Sequence, residues 1–223
     1  MLVVISEIDS GQAAPTEETM KKMLKFSDYV ALHPDGILTS SASNMVLNVH
    51  SDASYLTEPK ARSRAGGHFF MSDDSPDAQN NGAVHNTAQI IKRVMSSAAE
   101  AEIGALFINS RQAIPSRMLL MEMGHTQPAT PIITDNTTAL GFVTRNLWPK
   151  QTESTDMRFW WMSNRSYQKQ FRYYWGSGKK ILADYQTKHF CAAHHREVRP
   201  NFLTDKSTVN ELRARMGLPP NMF

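Results

Sequence analysis

The feature that most limits how this 223-residue chain can fold is the order of its local patterns. Three strand patterns come in succession, then a long helix, then short strands alternating with helices. Residues 45–51 alternate apolar and polar side chains, and residues 66–71 read as a second strand. After the turn-rich stretch 73–82 (DDSPDAQNNG), residues 83–91 pair back as a third. A polar, basic loop is expected at 57–64, between the first two. From about Ser97 a helix starts, with Ala98, Ala99, Ala101, Ala105 and Leu106 as good formers. Pro115 is expected to kink it, or to split it from a second piece ending at Gly124. Strands at 131–134 and 170–175 and helices at 137–144, 152–165 and 182–188 follow. Such an order implies an α/β chain, a mixed sheet covered by helices.

The N-terminal part reads differently. Residues 16–32 (TEETMKKMLKFSDYVAL) form an amphipathic helix pattern, with Thr16 as N-cap and Glu17 and Glu18 in the first turn. Met20, Met23, Leu24 and Val30 recur at helical spacing and are read as core packing. His33-Pro34-Asp35-Gly36 ends the helix as a turn. Residues before 16 are expected to be irregular, and 37–44 to be a connector.

Hydrophobic residues make up 41% and charged residues 20%, the balance of a globular chain rather than a disordered one. The apolar run Leu2–Ile5 is too short for a signal peptide or a membrane span, so no membrane partner is expected. One cysteine, Cys191, excludes an internal disulfide framework and suits a reducing compartment. The net charge of +3 hides an asymmetry. Residues 145–223 carry fourteen Lys or Arg against six Asp or Glu, while residues 1–40 carry three Lys against six acids. The basic third also holds Trp148, Trp160, Trp161, Tyr173, Tyr174 and Trp175, a composition suited to a polyanion such as nucleic acid.

Four acids stand where strands end or helices begin: Asp52, Glu102, Asp135 and Asp184. Asp52 closes the strand in LNVHSDAS and Asp135 closes the strand at 131–134; in an open sheet, adjacent strand ends share a crevice. Clustered carboxylates raise one another's pKa unless cations neutralise them. Mg²⁺ suits such a set, because it takes one or two carboxylates and keeps waters that a phosphate can replace. Spacing alone leaves open whether the four meet.

Five blocks carry a resemblance: HSDASYLTEPKARSRAGGHFFMS, SSAAEAEIGALFINSRQAIPSRMLLMEMGH, ITDNTTAL, STDMRFWW and FRYYWGSGKKILADYQTKH. In this order they resemble the ribonuclease H domain of copia-type LTR retrotransposon Pol polyproteins, over roughly residues 45–190. Residues 1–44 then resemble a tail and the connection segment that follows the reverse transcriptase, and 191–223 a basic C-terminal tail. The resemblance implies an RNase H-like fold, a mixed five-stranded sheet flanked by helices with an N-terminal helical connection segment. It implies Asp52, Glu102, Asp135 and Asp184 as catalytic metal ligands, Glu102 rather than Glu100 matching the family's glutamate. Lys60, Arg62 and Arg64 match a basic loop that holds backbone phosphates, and Asn136 is a candidate for a minor-groove contact. The implied activity is hydrolysis of the RNA strand of an RNA–DNA hybrid with two Mg²⁺ ions, for which Mn²⁺ can substitute. Implied partners are the hybrid and the reverse transcriptase region of the same polyprotein. The implied location is intracellular, cytoplasmic or nuclear or in retroelement particles.

The chain departs from that pattern in places. Residues 149–155 (PKQTEST) carry one Lys where a basic pair is common, and Trp160 stands where His is usual. The loop at 175–181 has no His. Phe70-Met71-Ser72-Asp73-Asp74 superficially resembles the paired aspartates of a polymerase, but its place in the second strand makes Asp73 and Asp74 turn residues. The tail HFCAAHH at 189–195 lacks the ligand spacing of structural zinc sites and is read as partly exposed. His50 and His68, on strands, are read as structural. A remnant that binds nucleic acid or a partner without cleaving is the rival reading. A DDE-type integrase would place its Glu last, whereas Glu102 precedes Asp135.

Overall fold

The computed structural model describes residues 1–75, 77–144 and 153–219. Trp148 and the departing residues 149–152 lie outside them. The centre is a five-stranded sheet of β2 (Val46–Glu58), β3 (Arg62–Ser72), β4 (Ala83–Ile91), β5 (Thr130–Thr134) and β6 (Phe171–Trp175), in the order β4-β3-β2-β5-β6. β3 is antiparallel to β2 and β4, whereas β5 is parallel to both β2 and β6. This is the mixed sheet expected from the order of patterns, with β2 at its middle.

Strand β2 runs further than its alternation suggests, to Glu58 rather than Ser51. The expected 57–64 loop shrinks to a tight turn, in which Lys60 (φ 62°) and Ala61 (φ 52°) both take left-handed backbone. Two such residues in succession match the right-handed twist of a hairpin, so the strands continue up to the turn. Leu56 (φ 55°) absorbs a register shift between Ser54 and Glu58 as a bulge.

Helix α3 (Ala98–Glu122) crosses from β4 to β5 over one face of the sheet. Ser97 caps it by accepting from the Glu100 amide at 3.1 Å. Pro115 does not split it. Both Pro115 and Arg111, whose carbonyl the proline leaves unbonded, face solvent, where water can satisfy that carbonyl. Gly124 (φ 90°) ends the helix, with His125 N–H on the Leu120 carbonyl at 2.9 Å. Leu47, Val49, Phe69, Ile103, Leu106, Ile132 and Phe171 fill the core on that face with Met162 of α5 (Glu153–Tyr167). Helix α4 (Thr137–Val143) starts directly after β5, capped by Asn136.

On the other face the expected closing helix is replaced by two 3₁₀ turns, Gly178–Lys180 and Leu182–Gln186. The second presses against β3 so closely that a side chain at Gly66 would meet the Ala183 carbonyl at 2.5 Å. A wider α-helical turn has no room there.

The N-terminal part corrects two expectations. Residues before 16 are not irregular: α1 (Leu2–Ser10) packs Val3 against the rest of the chain. Helix α2 (Glu17–Leu32) has its Thr16 cap, in a reciprocal bond with Thr19, but Met20, Met23, Leu24 and Val30 are exposed rather than core. The segment beyond residue 190 also has structure. It forms α6 (Ala192–Val198), a short β7 (Thr204–Asp205) and α7 (Lys206–Arg215), and β7 pairs antiparallel with β1 (Gly36–Ile37). Among the described residues, no helix is long and apolar enough to cross a membrane.

Candidate active site

The parallel pairing of β2 and β5 aligns their ends. His50 lies opposite Ile133, and two residues further on, on the same face, stand Asp52 and Asp135. The first turns of α3 cross the same rim and turn Glu102 inward, while Glu100 is tied outward to the Ser96 amide and hydroxyl at 2.7 Å. A ligand oxygen from each of Asp52, Glu102 and Asp135 lies within 4.8 Å of the others. Two ligands on opposite sides of one Mg²⁺ are about 4 Å apart, so small side-chain rotations suffice for a shared ion.

Hydrogen bonds fix this trio. The Thr187 hydroxyl donates to Asp52 Oδ2 at 3.0 Å, and the Ala53 amide donates to Glu102 Oε1 at 3.3 Å. Asn109 of α3 donates to both Ser51 Oγ and the Gly66 carbonyl at 2.8 Å, setting the height of Glu102 over the sheet. Gly178 lets the loop after β6 lie against Asp135, since a Cβ there would sit 2.7 Å from its Oδ2. The Trp175 indole donates to the Asp135 carbonyl at 3.1 Å and leaves its ring half exposed.

Electrostatics mark the trio as a site that calls for a cation. Burial, followed by the Asp184 charge, pushes Asp52 up to about 7. Burial and the charge of Asp52 push Glu102 up to about 9, and burial raises Asp135 as well. Glu102 Oε2 is buried with no hydrogen-bond partner. An orphaned carboxylate oxygen facing two further carboxylates is a fitting donor set for a hard divalent ion.

Asp184 comes to the same place from the Leu182–Gln186 turn and acts electrostatically on Asp52, Glu102 and Asp135. Its carboxylate, however, is held by Lys188 at 2.7 Å rather than by the trio. The four expected ligands therefore converge as three plus one.

The expected phosphate-binding residues divide. Lys60 and Arg62 sit at the tip of the β2–β3 hairpin, Lys60 exposed and Arg62 bonded to the Pro59 carbonyl at 3.1 Å. Arg64 corrects the expectation. It is fully buried, with Nε on Glu58 Oε1 at 2.8 Å and Nη1 on the Ala88 carbonyl at 3.1 Å, so it braces the hairpin and cannot reach a phosphate. Asn136 spends its side-chain oxygen on the Ala139 amide at 2.9 Å, which leaves its NH₂ for other contacts. His50 accepts from the Leu182 amide at 3.2 Å and His68 bonds Asn80 and Asn86, both in structural roles. Thr187, Lys188 and Asn109 were not singled out in the sequence. The signal for the first two is their place three and four residues after Asp184.

No protein-family model and no curated protein matches the chain. Among solved structures, the chain is similar to LC11 RNase H1, isolated from compost by a metagenomic approach. The identity is 12%, over 64% of this chain and 93% of that one, with a TM-score of 0.49. It is similar to the N-terminal RNase H domain of Rv2228c from Mycobacterium tuberculosis, at 15% identity over 64% and 95%, TM-score 0.45. It is also similar to the foamy viral protease-reverse transcriptase solved with dsDNA, at 15% identity over 68% and 96%, TM-score 0.39. The strand order, with its single antiparallel flank, and the carboxylates at the ends of the central strands make this an RNase H-like fold.

Proposed function

We propose that this chain is a divalent-metal-dependent ribonuclease that hydrolyses the RNA strand of RNA–DNA hybrids, as part of retrotransposon reverse transcription. The observation that carries the reading is the trio Asp52, Glu102 and Asp135, two of them buried, with its unpartnered Glu102 oxygen. Asp184 completes the set as the fourth carboxylate. The resemblance to copia-type Pol sequences supports the substrate, and with it an intracellular setting and the reverse transcriptase region as partner.

Bound Mg²⁺ or Mn²⁺ would supply an activated water and charge stabilisation for the leaving 3′-oxygen. The chain's own residues do the rest. Thr187 and Ala53 orient the Asp52 and Glu102 carboxylates. With no cation bound, the raised pKa of Glu102 keeps a proton on that carboxyl at neutral pH, a proton that must leave when an ion enters. Lys60 and Arg62, on a hairpin that continues past Asp52, offer charges to a duplex backbone. Selection for RNA would rest on 2′-hydroxyl contacts and hybrid shape.

The test is cleavage of a labelled hybrid by the purified chain with Mg²⁺ or Mn²⁺, beside Asp52→Asn and Glu102→Gln. Removing either ligand is expected to lower the rate at least about 100-fold, the range for losing a group that stabilises transition-state charge. Tight hybrid binding without cleavage by the unaltered chain would move the reading to a binding remnant.

A further inference from the structure

We propose that Lys188 is a positioning residue that holds Asp184 out of the metal site until a divalent ion displaces it, and so sets the affinity of the last ion to enter. The inference rests on the metal-dependent reading above.

One short piece of backbone delivers two opposed groups. The Leu182–Gln186 turn closes with the Thr187 amide on the Asp184 carbonyl at 3.1 Å. Thr187 then sets its hydroxyl between Asp52 Oδ2 at 3.0 Å and the Asp184 carbonyl at 2.8 Å, while the next residue, Lys188, returns its ammonium to Asp184 Oδ1 at 2.7 Å. Thr187 thus draws the trio together and Lys188 draws the fourth carboxylate away. Lys188 is also near enough to Asp52 and Asp135 to be attracted by both. Its pairing with three carboxylates outweighs its burial, so the ammonium stays charged.

The arrangement suits exchange rather than a permanent bond. Both partners are accessible, Lys188 at 47% and Asp184 at 34% of the side chain. A partly exposed pair of this kind is weak, and a divalent ion competes with it effectively. Lys188 also has somewhere to go. Its ammonium lies 5.2 Å from the Phe190 ring, and the residue lines a cavity of about 660 Å³ with Lys25, Tyr185 and Phe190. Once released from Asp184, it remains beside the site, where a phosphate could take it as a partner.

Mn²⁺ titration of the full chain, followed by electron paramagnetic resonance or calorimetry, tests this without any turnover. The unaltered chain is expected to show a tighter and a weaker class of ion. In Lys188→Met the weaker class should tighten about tenfold, because a neighbouring positive charge has been removed from a partly screened site. Lys188→Arg should bind like the unaltered chain. In an Asp184→Asn background the tightening by Lys188→Met should be much smaller, because only the attraction of Asp52 and Asp135 for the ammonium is then removed. Equal affinities in the unaltered chain and Lys188→Met, or a weaker second class in the variant, would overturn the inference and leave the metal-dependent reading standing. No Mn²⁺ bound by any of them would end both.

Discussion

Asp52 sits at a strand end that sequence alone could read as a plain turn, yet it is buried, hydrogen-bonded, and raised in pKa by that burial and then by the Asp184 charge. A carboxyl with a raised pKa binds more protons folded than unfolded, so stability falls as pH rises from the ordinary range near 4 to the folded value. The window for Asp52 ends at about 7 and for Glu102 at about 9. Thermal unfolding in a chelator should therefore show a melting temperature that drops from pH 5 to pH 8. Mn²⁺ should recover it at pH 8, and Asp52→Asn should flatten the slope. Thr187→Val is the finer probe at this scale. Loss of the hydroxyl leaves Asp52 without its donor, so kcat on hybrid should fall about tenfold, a loss of the size of one such bond. KM should barely move. A KM change with kcat intact would show that Thr187 contacts substrate instead.

Elements explain which parts of the sequence could be read and which could not. The helix start near Ser97 and the Gly124 stop were legible because they depend on local chemistry, a run of good helix formers and a left-handed glycine, whereas the strand at 83–91, weak in its own pattern, was legible from the turn-rich stretch before it. The length of β2 was not, since nothing local announces that Lys60 and Ala61 will accept left-handed backbone. Arg64 looked like part of a basic loop because its partner, Glu58, becomes a neighbour only when the hairpin closes. The 3₁₀ form of the Asp184 segment depends on β3, in particular on Gly66, which lies directly across from Asp52. Gly66→Ala should thus act at long range in sequence. Its Cβ would meet the Ala183 carbonyl and Thr187 Cγ2, each at 2.5 Å. Overpacking of this sort costs about 1–3 kcal/mol. Denaturant melts should show that loss, and hybrid cleavage should fall further than stability explains, because the displaced turn carries Asp184 and Thr187.

Across the whole molecule, the two ends of the chain are tied to each other and to the site. Glu7 of α1 pairs with His189 at 2.5 Å and with Lys22 at 2.8 Å, and Tyr29 of α2 bonds His195 at 2.9 Å. His195 also bonds Tyr185, the residue after Asp184, and Phe202 stacks on the Tyr185 ring at 5.3 Å. Ending the chain after residue 191 should therefore lower stability by about 2 kcal/mol, the scale of one lost aromatic contact with its burial. Circular dichroism should show an earlier melt with the sheet signal retained, and an unchanged melt would make the segment a passive appendage. The order in which the chain supplies its carboxylates has its own consequence during synthesis. Asp52, Glu102 and Asp135 leave the ribosome well before Asp184, whose turn follows the edge strand β6 and packs against β3. A chain stopped before residue 184 therefore carries an incomplete acid cluster. On the proposed reading such a chain, which also lacks Thr187 and Lys188, should leave a labelled hybrid uncut.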